Sequence, residues 1–146
     1  MEMDGDILHD FLIEAGEILE KLDEQLVDLE RRPDDKELLN AVFRGFHTVK
    51  GGAGFLNVHS LAEVCHRAED VFNSLRQGQR RVDAALMDCV LRVLDVIKGM
   101  LEDLRHSRMP APADPELLRW LTGLAAPASR DAAEEGTVPA ATRRET

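Results

Sequence analysis

His47-Thr48-Val49-Lys50-Gly51-Gly52-Ala53-Gly54 puts an imidazole, an ammonium and three glycines into one short run. An imidazole has an ordinary pKa of about 6.5, so near neutral pH it offers a neutral nitrogen with a free lone pair. Such a nitrogen can take a phosphoryl group and hold it in an N–P bond of high transfer potential. Lys50 falls one helical turn after His47, on the same ridge, where its ammonium can act as a mobile point charge towards phosphoryl oxygens. Each glycine inside a helix costs about 1 kcal/mol relative to alanine. Gly51, Gly52 and Gly54 therefore need a reason, and bare backbone that admits a large partner close to the ring supplies one. Arg44, one turn before His47, borders the same docking surface.

An imidazole that attacks with one nitrogen should present the other, as N–H, to a fixed acceptor that sets the tautomer. Cys65-His66-Arg67-Ala68-Glu69-Asp70-Val71-Phe72 offers that acceptor on another helix. Glu69 is the best candidate, and His66, on the same face, can complete the network. On this reading Glu69 belongs to an exposed charge pair, worth less than about 1 kcal/mol.

The run from His47 to Leu56, together with His66-x-x-Glu69, resembles the signature of histidine phosphotransfer (HPt) domains, more narrowly those of CheA-type chemotaxis histidine kinases. The resemblance extends over about residues 1–124. It implies that His47 carries the phosphoryl group, that Lys50 lies beside it, and that His66 and Glu69 support the ring. It further implies a bacterial chemotaxis phosphorelay, in which an ATP-binding kinase domain of the parent protein phosphorylates His47. A response regulator receiver domain then takes the group onto an aspartate. ATP and Mg²⁺ are expected on those partner domains, with no cofactor or metal in this one, so the domain alone would be a phosphoacceptor without kinase activity.

Two rival readings accompany this one. A non-catalytic helical adaptor leaves the glycine cost unexplained. A metal-binding bundle using His47, His66 and Glu69 would face the repelling charge of Lys50, and bundle metal sites usually draw Glu-x-x-His pairs from two helices. A phosphate-binding P-loop is excluded, because its lysine follows the glycines and opens a helix after a strand.

The chain has 146 residues and a net charge of −10, with 44% hydrophobic and 4% aromatic residues. That length suits one domain. The negative charge opposes binding to nucleic acid or to an anionic membrane surface. Apolar runs are too short to span a bilayer and the N-terminus lacks a secretory pattern, so a cytoplasmic location is expected. Cys65 and Cys89, on apolar helical faces, read as buried reduced thiols.

Apolar periodicity predicts an all-α fold, an antiparallel up-down four-helix bundle with a short fifth helix. The first helix spans about residues 4–31, with Leu8, Phe11, Leu12, Ala15, Ile18, Leu19, Leu22, Leu26 and Leu29 inward. Asp34 and Glu37 suggest a capping box for a second helix over 35–55, carrying Leu39, Val42, Phe43, Phe46 and Val49. Ser60 and Glu63 suggest another for a third helix, which ends near Gly78. Asp83 caps a fourth helix reaching about His106, and Asp114-Pro115 opens a fifth to about Leu124, with Trp120 packing it onto the bundle. Residues 125–146 lose the apolar period and read as a flexible, disordered linker.

Overall fold

Five helices follow one another in the computed structural model, which describes residues 5–126: α1 (Gly5–Arg31), α2 (Lys36–Phe55), α3 (His59–Arg76), α4 (Ala84–Arg105) and α5 (Pro115–Ala125). Neighbours in sequence pack side by side, α1 on α2, α2 on α3 and α3 on α4. Contacts between α1 and α4 close the ring, and α5 lies on α3 and α4. This is the up-down bundle that the four long amphipathic stretches and short connections require. No strand occurs among the described residues. The expected linker lies outside the described residues from position 127 onward, as does residue 4, the expected start of the first helix.

The predicted stripes form a single core, centred on Leu22, Leu26, Val42, Phe46, Leu61, Phe72, Leu94 and Ile97. Phe46 and Phe72 stack across the α2–α3 contact at 5.8 Å between ring centroids. Trp120 packs against this core from α5, as expected. Cys65 and Cys89 are both buried within it.

Helix termini follow sequence chemistry at three places. Asp83 accepts a hydrogen bond from the Leu86 N–H at 2.8 Å, and Asp114 accepts one from the Glu116 N–H at 2.9 Å with Pro115 at the first helical position. Gly78 adopts φ +78°, and the Gly78 and Gln79 N–H groups return to the Leu75 and Ser74 carbonyls to close α3.

Two caps differ from the sequence expectation. The cap of α2 is Asp35, which accepts from the Leu38 N–H at 3.1 Å; Asp34 sits in the preceding turn, which closes when the Asp35 N–H reaches the Arg32 carbonyl. The Ser60–Glu63 capping box does not form. α3 already begins at His59, because the turn after α2 is closed by Leu56, Asn57 and Val58 N–H bonds to the Gly52, Gly54 and Ala53 carbonyls. Val58 is fully buried and fixes where the chain re-enters the bundle. Ser60 Oγ instead donates to the Pro110 carbonyl, tying α3 to the segment before α5, and Glu63 pairs with Arg67.

Candidate phosphotransfer site

α2 and α3 run antiparallel, and the seam between them collects polar side chains that the apolar period leaves over. On α2, Asn40, Phe43, His47 and Lys50 recur at helical spacing along one edge. Glu69, Asn73 and Arg76 answer them from α3.

Glu69 is the pivot. Its side chain is only 8% exposed, yet both carboxylate oxygens have partners: Oε2 bonds His47 Nδ1, and Oε1 accepts from Lys50 Nζ at 2.7 Å. Burial alone would push this carboxyl upward. The bonds from Lys50 and His47, with the charges of both, outweigh that and hold it below the ordinary carboxylate range. A buried acceptor is therefore kept ionised by its own partners, and the exposed charge pair expected from the sequence is replaced by a desolvated one.

His47 is 61% exposed. With Nδ1 engaged by a carboxylate, the neutral ring carries its proton there, and Nε2 is left with its lone pair. Phe43 lies one turn earlier and stacks on the imidazole, with centroids 6.1 Å apart and planes 10° from parallel. Arg76 in turn covers Phe43, its guanidinium carbon 3.7 Å from the ring centroid. The sequence places Phe43 in the core stripe; the signal that could have found its contact with the imidazole is the i, i+4 relation between Phe43 and His47.

The remaining candidates divide. His66 is exposed, and its Nε2 lies 3.7 Å from Asp70 Oδ1; no hydrogen bond joins it to His47 among the described residues. His66, Glu69 and Asp70 bring potential metal ligands within 4.8 Å of one another, but the Lys50 ammonium already sits on Glu69 and opposes a second cation. Arg44 is exposed on the His47 side of α2. A Cβ at Gly51 or Gly54 would meet nothing within 4 Å, so both leave open backbone further along α2 from His47. Gly52 differs from the docking expectation: its Cβ would come within 2.6 Å of the Phe11 ring, and its bareness serves the packing of α1 on α2. Phe55, 74% exposed, continues the surface beyond Gly54 and escaped the sequence reading because it completes a helical pattern. Beneath the seam, burial and then the Glu69 charge push the Cys65 thiol up to about 12, which keeps it an inert core side chain.

Comparison with known proteins agrees with this geometry. The family model described as "Hpt domain" matches residues 6–107. The sensor histidine kinase CheAY of Helicobacter pylori is 46% identical over 102 residues, covering 70% of this chain and 13% of that protein. The chemotaxis protein CheA of Treponema pallidum is 35% identical over 138 residues, covering 94% of this chain and 16% of that protein. The chain thus spans less than a fifth of these curated relatives. Among solved structures, a CheA phosphotransferase domain from Thermotoga maritima is 32% identical with a TM-score of 0.68, covering 71% of this chain and 99% of that one. A solution structure of a CheA histidine phosphotransfer domain is 27% identical with a TM-score of 0.76, covering 88% and 98%. No described helix is long and apolar enough to cross a membrane.

Proposed function

The chain belongs to the Hpt domain family, as a chemotaxis phosphotransfer domain of the CheA type, and from that premise we propose that His47 is its phosphoacceptor and Nε2 the reacting atom. The supporting observation is the division of the ring: Nδ1 is held by the buried Glu69 carboxylate, while the imidazole stands mostly in solvent.

The donor is ATP held with Mg²⁺ on the kinase domain of the parent protein, in the cytoplasm. Nε2 attacks the γ-phosphorus, the Nε2–P bond forms, and the bond from phosphorus to the β,γ-bridging oxygen breaks, so ADP leaves with the electron pair. The ring becomes an imidazolium whose Nδ1–H stays on the ring, hydrogen-bonded to Glu69, and the carboxylate stabilises the charge that develops there. Lys50 is near enough to share its ammonium between Glu69 and the incoming phosphoryl oxygens. A receiver-domain aspartate of a response regulator then attacks phosphorus, and the N–P electron pair returns to Nε2. Phosphoryl transfer demands mainly positioning and charge stabilisation, so a helical domain can supply the acceptor while its partners supply metal and nucleotide. Arg44, Gly51, Gly54 and Phe55 form the surface those partners meet.

Labelled phosphate incorporation from ATP–Mg²⁺ and the separate kinase domain tests this. The wild-type domain should take up acid-labile label and lose it when a receiver domain is added; His47→Gln should take up none while keeping its helical circular dichroism. Label retained in His47→Gln would move the acceptor elsewhere.

A further inference from the structure

The bond to Glu69 fixes one point of the His47 ring but not its plane, because an imidazole anchored only at Nδ1 can still swing about that contact. Phe43 supplies the missing constraint. Its ring lies 10° from parallel with the imidazole at 6.1 Å, within the range favoured for offset stacking. Phe43 is half-buried, so its own body is held by the core while one part faces the site.

Arg76 holds Phe43 in turn. Its guanidinium lies 3.7 Å from the Phe43 centroid, its Nη1 donates to Asn40 Oδ1 on α2 at 3.2 Å, and its Nε donates to Asn73 Oδ1 on α3 at 3.0 Å. No carboxylate pairs with it among the described residues. Two neutral amides orient the guanidinium and leave its charge directed at the aromatic ring, where it is attracted by the ring's negative face. A guanidinium that only stitched helices together would be expected to find an acidic partner, which this chain has in excess.

We propose that Phe43, clamped by Arg76, fixes the plane of the His47 imidazole and is a positioning residue for phosphoryl transfer; this rests on His47 being the acceptor. In-line attack needs the Nε2 lone pair aimed at phosphorus. A ring free to swing reaches that orientation for a smaller fraction of encounters. The effect should therefore fall on the transfer step rather than on docking.

The test uses the domain as substrate for the separate kinase domain, with kcat and KM measured apart. Phe43→Leu should lower kcat by about tenfold, the order that a lost ring stack and looser orientation produce, with KM little changed. Phe43→Tyr, which keeps the ring, should restore kcat, and Arg76→Met should give a smaller loss of about threefold. Nitrogen-15 NMR of the His47 ring should show the protonated Nδ1 signal broadened in Phe43→Leu and sharp again in Phe43→Tyr. A folded Phe43→Leu with wild-type kcat would overturn the proposal, as would a loss that Phe43→Tyr fails to restore. If Phe43→Leu does not fold, Arg76→Met decides, and unchanged kcat with an unchanged ring spectrum would overturn it. His47→Gln separates the two readings: label persisting there sinks the acceptor, whereas label lost there with normal Phe43→Leu kinetics sinks only the positioning role.

Discussion

Among the described residues, two lysine–carboxylate pairs bridge neighbouring helices of this bundle, and they do different things. Lys50 meets Glu69 at 2.7 Å between α2 and α3; Lys98 meets Asp23 at 2.9 Å between α4 and α1. The bonds are nearly equal in length. The surroundings are not: side-chain exposures are 28% and 8% for the first pair, 44% and 46% for the second. Water can solvate Asp23 whenever Lys98 moves away, so that pair is screened and weak. Glu69 has little access to water and depends on its two partners for its charge. Burial of one carboxylate turns an ordinary ion pair into a device that holds an imidazole in one tautomer.

The largest expected effect breaks the buried pair. Glu69→Ala should lower unfolding stability by about 2 kcal/mol, because it strands the half-buried Lys50 ammonium and opens a gap in the seam. It should also slow labelling of His47, since Nδ1 loses its acceptor. Urea denaturation and label incorporation measure the two. A stability change below about 0.5 kcal/mol would show that Glu69 behaves as Asp23 does.

Titration sharpens the same contrast. Glu69 has a folded-state pKa below its ordinary value of 4.5. The unfolded chain therefore binds this proton more readily, and stability rises with pH where the two states differ. The contribution of Glu69 should be fully present above pH 4.5 and should fade as the solution is acidified through the lower folded value. Comparing acid unfolding of the wild type with Glu69→Gln should show this limb reduced in the variant; identical limbs would mean that Glu69 is not stabilised as a carboxylate.

The glycines repeat the lesson of burial within a single helix turn. Gly52→Ala should cost about 1–2 kcal/mol, because its Cβ would meet the Phe11 ring at 2.6 Å and the ring must shift within a packed contact. Gly51→Ala should instead stabilise by up to about 1 kcal/mol, since its Cβ enters open space and alanine favours the helix. If Gly51 faces the docking partner, that more stable variant should be labelled more slowly. Thermal melts beside labelling rates would show whether stability and transfer part company in this way.

What the sequence made legible follows the range of each interaction. Asp83, Gly78 and Asp114 act on their own backbone, and all three were readable from local pattern. The His47–Glu69 contact is long-range: helical spacing groups Lys50 with His47 and His66 with Glu69, and it is the resemblance of both motifs to the HPt signature that joins the two helices. Ser60 departs from its expected capping role because its hydroxyl has two acceptable fates, and the nearby Pro110 carbonyl offered by the fold supplies the second. Gly52 and Gly51 are adjacent and chemically identical; only the position of Phe11 on α1 distinguishes them. Phe43 and Arg76 are hidden for a similar reason, since an aromatic in an apolar stripe and an arginine on a helix edge are unremarkable until the fold sets the arginine over the aromatic and the aromatic against His47.

The smallest effect concerns the exposed pair and is the control that gives the comparison its meaning. Asp23→Asn keeps the shape of the side chain and removes its charge. Both partners are nearly half exposed, so water replaces most of what Lys98 loses, and the change in stability should stay within about 0.5 kcal/mol at low salt. Raising salt to about 1 M, where the screening length falls to about 3 Å, should erase even that difference. Labelling of His47 should be unaffected, because the pair lies between α1 and α4 rather than on the α2–α3 seam. Urea denaturation of the wild type and Asp23→Asn at two salt concentrations measures this. A loss of about 2 kcal/mol that survives high salt would show that exposure does not separate the two pairs, and the explanation of Glu69 by its burial would fall with it.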